Sequence, residues 1–264
     1  MSHDQPSHGS ERHRKKGLSE TADELEHKLA MELEEKIIAR SVLYTSGERD
    51  PTGPKEIPFG TLPPGRHVLQ GDDPRLKKMP KNPTLMDFFK YRFSPPNHLL
   101  QSARLAQKAG HEEKVVIACL LHDIAVDGFI RTDHGYWGAQ LLEPYVDEEV
   151  SWAIRTHQAL RFFPDESVGY EYPQYYRQIF GDDYEVEPYI REEYERARKH
   201  RWYMTSRLIC LNDLYAFDPN VVVKLEDFTD VIGRNFKQPK EGLGFDGSPV
   251  AHMWRTMIWP TKWL

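Results

Sequence analysis

The sequence predicts an all-α fold, and three observations carry that expectation. From Pro83 onward, apolar residues recur at helical spacing. The periodic segments are bounded by residues that start or stop helices, such as Asn97, Gly110, Asp133 and Asp147. Strand-like alternation is scarce, with only VVVKL at 221–225 ambiguous.

Composition narrows the function classes. The chain has 264 residues, 39% hydrophobic, 12% aromatic and 29% charged, enough for a packed core and too apolar for global disorder. Its formal charge of −6, with no basic stripe interleaved with aromatics, argues against nucleic acid as the main partner. The opening MSHDQPSHGSERHRKKG has no apolar centre, so no secretory signal is expected. No apolar run reaches the roughly 20 residues of a membrane span. The two cysteines, Cys119 and Cys210, lie inside apolar helical patterns and suit a reducing cytoplasm better than a disulfide framework.

In chain order, residues 1–18 are polar and read as a disordered tail, leading into an N-terminal helix and arm over 19–83. The helix starts at Ser19, with Leu25, Leu29, Leu33 and Ile37 forming a stripe that needs either the main domain or a second subunit to cover it. The Pro- and Gly-rich stretch 45–83 reads as an extended arm. The helical core is expected over 84–264. Asn97 is expected to cap HLLQSARLAQKA, closed by Gly110, and EEKVVIACLLHD follows as a buried helix. Asp133 is expected to cap HGYWGAQLLEPYV, and Asp147 to cap EEVSWAIRTHQALRFF with Glu148 and Glu149 in its first turn. One long helical stretch is expected from about Pro188 to Phe217. The C-terminal MWRTMIWPTKWL reads as packed apolar surface or a homodimer contact.

Within these helices the metal-ligating residue types sit at helix ends. His98 opens one helix, the pair His122–Asp123 ends the next, and His134 opens a third. His157 lies near the end of a fourth and Asp213 near the end of the long stretch. Four imidazoles and two carboxylates can furnish a shell for two divalent metals, and one carboxylate can span ions about 3.5–4 Å apart. Adjacent helical residues point about 100° apart, so His122 can face one ion while Asp123 reaches toward the other. An isolated HD dipeptide says little. In ACLLHD, however, both polar groups abut a buried run where they would be costly without partners.

NHLLQSARLAQKAGHEEKVVIACLLHDIA resembles the core of the HD-domain superfamily, with its H…HD…D pattern on a helical bundle. DHGYWGAQLL, VSWAIRTHQALRFF and RLICLNDLYAFDPN are similar to the HD-domain mixed-valent diiron oxygenases, a group containing myo-inositol oxygenase and the dioxygenases that cleave hydroxylated organophosphonates. The resemblance covers roughly residues 85–235. It implies that His98, His122, Asp123 and Asp213 hold one iron, while a bridging Asp123 with His134 and His157 holds the other. The cofactors would be two irons, Fe2+ and Fe3+, with O2 as co-substrate, and His122 and Asp123 would stand at the catalytic centre.

The pattern also departs from those enzymes. Asp123 is followed by Ile124, Ala125 and Val126, without the lysine of the inositol enzyme. Arg161 stands where the phosphonate enzymes carry lysine, and FFKYRFSPPNH lacks the acid of their Tyr-x-x-Glu pair. A different substrate is therefore expected. Arg161 is the expected anchor for an anionic group, or else an ion-pair partner of Asp165 or Glu166. Tyr91 is assigned to substrate binding, and Gln101 either to a bond supporting a metal ligand or to an interhelical contact. Tyr172, Tyr175 and Tyr176 line a pocket or belong to the core. The expected activity is oxidation or C–P or C–C cleavage of a small hydroxylated anion. The alternative is a metal-dependent HD phosphohydrolase acting on a phosphate ester or nucleotide, and a third reading is a metal-stabilised regulatory module.

Overall fold

The computed structural model describes residues 24, 28, 77–93, 96–125, 133–218 and 220–259. Glu24 and Lys28 are helical; the rest of the expected N-terminal helix, the tail and most of the arm lie outside the described residues. The described chain is helical throughout, consistent with an HD-domain bundle. Its helices are α1 (Leu85–Tyr91), α2 (Asn97–Lys108), α3 (Glu113–Leu121), α4 (His134–Leu142), α5 (Glu148–Arg161), α6 (Gln174–Phe180), α7 (Pro188–Ala197), α8 (Tyr203–Leu214), α9 (Thr229–Asn235) and α10 (Ala251–Ile258). Among the described residues, VVVKL forms no strand: 221–224 has no regular structure, with Lys224 extended, and Leu225 enters a 3-10 turn.

α3 is the axis of the molecule. Every residue from Val115 to Leu121 is buried, as expected of a helix apolar on all sides. α2, α5 and α8 pack against it, and α2, α4 and α7 also contact α8 or α5. The same core extends to α1 and α10, where fully buried Trp254 of α10 meets Phe88 edge-on at 5.2 Å and its indole N–H donates to the Leu141 carbonyl. MWRTMIW is thus folded into the core through Trp254.

The caps show where local chemistry and tertiary packing part company. Asp147 accepts from the Glu149 amide as expected, and Gly110 closes α2 at φ +74. Asn97 does not cap α2: Pro96 occupies the cap position, and Asn97 is already helical with no side-chain bond to the backbone there. Asp133 stands at the cap position of α4 in the left-handed region, φ +57, and its side chain makes no cap bond. It accepts instead from the Tyr189 hydroxyl at 3.4 Å. The long stretch 188–217 is two helices, broken over 198–202. No Gly or Pro marks this break. His200 stacks on Trp152 of α5 at 4.1 Å, and the chain turns there to lay α8 along α5.

Candidate metal centre

The packing of α2, α3, α4, α5 and α8 brings all six candidate ligands together. Asp123 is the hub. Its Oδ1 lies 3.1 Å from His134 Nε2, 3.5 Å from His122 Nε2 and 3.7 Å from His157 Nε2, while its Oδ2 lies 3.8 Å from His98 Nε2. Asp213 Oδ1 approaches His98 Nε2 at 2.7 Å and His122 Nε2 at 3.5 Å. Two donor groups emerge, His98–His122–Asp123 and Asp123–His134–His157, each with its ligand atoms within 4.8 Å of one another. They share Asp123, and Asp213 joins the first through its contacts with His98 and His122.

The rings are locked in a ligating tautomer. His122 Nδ1 lies 2.7 Å from the Cys119 carbonyl and His157 Nδ1 lies 2.5 Å from the Ile154 carbonyl. Both carbonyls are three residues back along the helix. A carbonyl only accepts, so Nδ1 carries a proton and each ring directs Nε2 into the cluster, where it offers a lone pair once that nitrogen is deprotonated. The His98 ring is held differently: it stacks on Phe217 at 4.2 Å, with Nδ1 3.4 Å from the Ala216 carbonyl. These are the outer contacts that fix metal-binding imidazoles. His122 is fully buried and its Nε2 has no hydrogen-bond partner. A buried ring nitrogen left in that state is costly unless something binds it. The N- and O-donor set therefore fits a pair of divalent metals.

The electrostatics of the two groups differ. Burial alone would depress His122, but Asp123 and Asp213 outweigh it and raise the ring to about 9. Burial dominates at His157 and drives it down to about 4 against the pull of Asp123, because the cationic forms of His134 and His122 oppose its protonation. Asp123 and Asp213 are both held well below the carboxylate range: burial opposes ionisation, but His122 and His134 outweigh it at Asp123, and Arg161, His122 and His98 at Asp213. Metal entering at His122 must displace a proton.

Arg161 points to the cluster. Its Nη1 is 2.8 Å from Asp213 Oδ2, both side chains are buried, and Tyr176 faces its guanidinium at 4.9 Å. Asp165 pairs instead with Arg207 and Tyr203, so the expected Asp165 alternative for Arg161 is replaced by Asp213. The Gln101 amide is spent on backbone: it donates to the carbonyls of Asp218 and Val221 and accepts from the Asp218 amide. It thereby holds the loop that supplies Ala216 and Phe217 to His98, and bonds no candidate ligand directly. Tyr91 is half-buried against the main core, and no described contact joins it to the cluster. Tyr172 and Tyr176 belong to an aromatic group with Phe162 and Phe180 around α6.

Sequence reading did not single out Phe217, the three locking carbonyls or Gly135. A Cβ on Gly135 would sit 2.8 Å from the Ile154 carbonyl oxygen and 3.2 Å from the His157 ring, so α4 reaches α5 only because this position is bare. The glycine after His134 was the one local signal for that approach.

None of the curated proteins matches the chain. Residues 97–179 match the family model for the HD domain, a span that includes His98, His122, Asp123, His134, His157 and Arg161 and ends before Asp213. HD domains are typically metal-dependent enzymes; the match shows a likeness to them over α2 to α5 and does not reach α8, which carries Asp213.

Proposed function

We propose that the protein is an iron-dependent oxygenase built on a non-haem diiron centre, acting on a small hydroxylated anion. The observation that carries the two-metal part is the pair of donor groups joined by Asp123. The step from metal to oxygen rests on the resemblance of DHGYWGAQLL, VSWAIRTHQALRFF and RLICLNDLYAFDPN to the mixed-valent oxygenases.

In this reading His98, His122, Asp123 and Asp213 would hold one iron, and Asp123, His134 and His157 the other. When bound, a ferrous–ferric pair supplies O2 activation and removal of hydrogen from a substrate carbon, leading to oxidation or C–P or C–C cleavage. The protein's own residues set the conditions for that chemistry. The carbonyl contacts of Nδ1 at His122 and His157 hold both rings with Nε2 aimed at the cluster. Buried Ile124, Ala125 and Leu121 around the HD pair exclude bulk water. Arg161, held at the edge of the cluster, offers a guanidinium to a phosphonate or carboxylate; a charge-assisted contact of this kind contributes about 1.5–3 kcal/mol. Gln101 acts at a distance by fixing the loop against His98.

Arg161 and two metals would equally suit a phosphate ester, so the test must separate the two chemistries. Iron-loaded protein should be screened against small hydroxylated phosphonates and hydroxy or amino acids with and without O2. Turnover that stops under argon supports the oxygenase. Release of phosphate from generic esters under argon, sustained by manganese or cobalt, would make it a hydrolase.

A further inference from the structure

Helices α5 and α8 each deliver a ligand, His157 and Asp213, and a line of polar contacts fixes their register. The Thr156 hydroxyl donates to Ser206 Oγ at 2.8 Å, and Ser206 donates to the Ala153 carbonyl at 3.0 Å. One turn on, the Cys210 thiol meets the His157 carbonyl at 3.2 Å. Arg207 then reaches across to the end of α5, where its Nη1 donates to the carbonyls of Leu160 and Phe163, each at 3.0 Å. These flank Arg161, whose own carbonyl accepts from the Tyr170 hydroxyl at 3.0 Å. Arg207 lies over the Tyr170 ring at 4.9 Å, and its Nε contacts the Tyr203 hydroxyl at 3.1 Å, which in turn donates to Asp165 at 2.6 Å. The exit turn of α5 is thereby tied to α8 through Arg207 and to the following loop through Tyr170.

Arg207 is fully buried, yet its nearest carboxylate, Asp165, is 3.5 Å away and its Nη2 has no hydrogen bond. Burying a guanidinium on those terms is poor value for stability alone; the better-attested use of such groups is to fix register. What the register fixes here is the 2.8 Å contact between Arg161 and Asp213. We propose that Arg207 is a positioning residue that sets the Arg161–Asp213 contact and, through Asp213, the first donor group. This inference rests on the metal-centre reading above.

The test is an anaerobic titration of metal-free protein with Fe2+ against a competing chelator. It compares the wild type with Arg207→Met, Arg161→Met, the double variant and Tyr203→Phe, with folding followed by circular dichroism. Arg207→Met should weaken the more buried iron by roughly 10-fold, as loss of a residue behind a ligand does, while the other iron keeps its affinity. The double variant should bind no more weakly than Arg161→Met alone, because Arg207 acts through Arg161. Should Arg207→Met fail to fold, Tyr203→Phe decides: it removes one hydroxyl of the network and should give a smaller loss confined to the same iron. Wild-type affinity in folded Arg207→Met, or in Tyr203→Phe where that variant decides, overturns the proposal, as do losses that add in the double variant. A wild-type protein that binds no iron would instead remove the metal-centre reading and this inference with it.

Discussion

The two donor groups share Asp123 but are built to different standards. In the first, His122 and Asp213 are fully buried, His98 is clamped by Phe217, and Arg161 neutralises Asp213. In the second, His157 is equally buried, but His134 keeps 12% of its side chain exposed and opens α4 directly after the left-handed Asp133. The first has four candidate ligands and the second three. A closed shell suits an ion that stays put, whereas three ligands with an accessible edge leave positions for exchange. On our reading the first group retains its metal and the second is the one open to exchange.

That comparison can be broken outright at its common point. Asp123→Ala removes the shared carboxylate and should abolish binding of both irons, read by metal analysis of anaerobically prepared protein. Retention of one tightly held iron would mean that the groups are independent.

The next largest effects should separate the groups. His157→Ala should lose mainly the second iron and His122→Ala mainly the first, each measured as iron per chain with folding monitored in parallel. Loss of both from either variant would show that the groups assemble only together.

Gly135→Ala tests the second group without touching a ligand. Its Cβ meets a backbone carbonyl that cannot step aside, so α4 must shift and carry His134 with it. A destabilisation of about 1–3 kcal/mol is expected from overpacking of this kind, measured by denaturant unfolding. Iron loss should be confined to the second group. Unchanged affinity there would show that α4 has slack the close approach denies.

The smallest effect should come from Phe217→Leu in the first group. Losing the ring stacked on His98 should cost about 0.5–1.5 kcal/mol beyond buried area, with modestly weaker binding of the first iron. An equal effect on both irons would contradict the separation of the groups.

What was legible in the sequence follows from how local each signal is. The buried helix ahead of His122 could be read because an unbroken apolar run has few other uses, and the six ligand candidates because His and Asp at helix ends are conspicuous. The tautomer locks at His122 and His157 depend on ordinary carbonyls of Cys119 and Ile154, which carry no side-chain signature. The break between α7 and α8 has no Gly or Pro, since it is made by Trp152 stacking on His200 from another helix. Asp133 reads as a cap by residue type, yet in the fold it takes a left-handed backbone and turns to Tyr189, a partner 56 residues away. Gln101 was noticed for its nearness to His98, but its bonds run to a loop more than 100 residues on. In each case the missing information was tertiary.

The most direct test of the central claim is to load the metal-free protein with Fe2+ under anaerobic conditions, count the iron, and oxidise it stepwise while recording EPR spectra. Two irons per chain and a half-integer-spin signal at partial oxidation, perturbed by hydroxylated anions that coordinate iron, are the expected result. A stoichiometry of one or less after careful loading, or two irons that show no mixed-valent signal at any stage of oxidation, would contradict it.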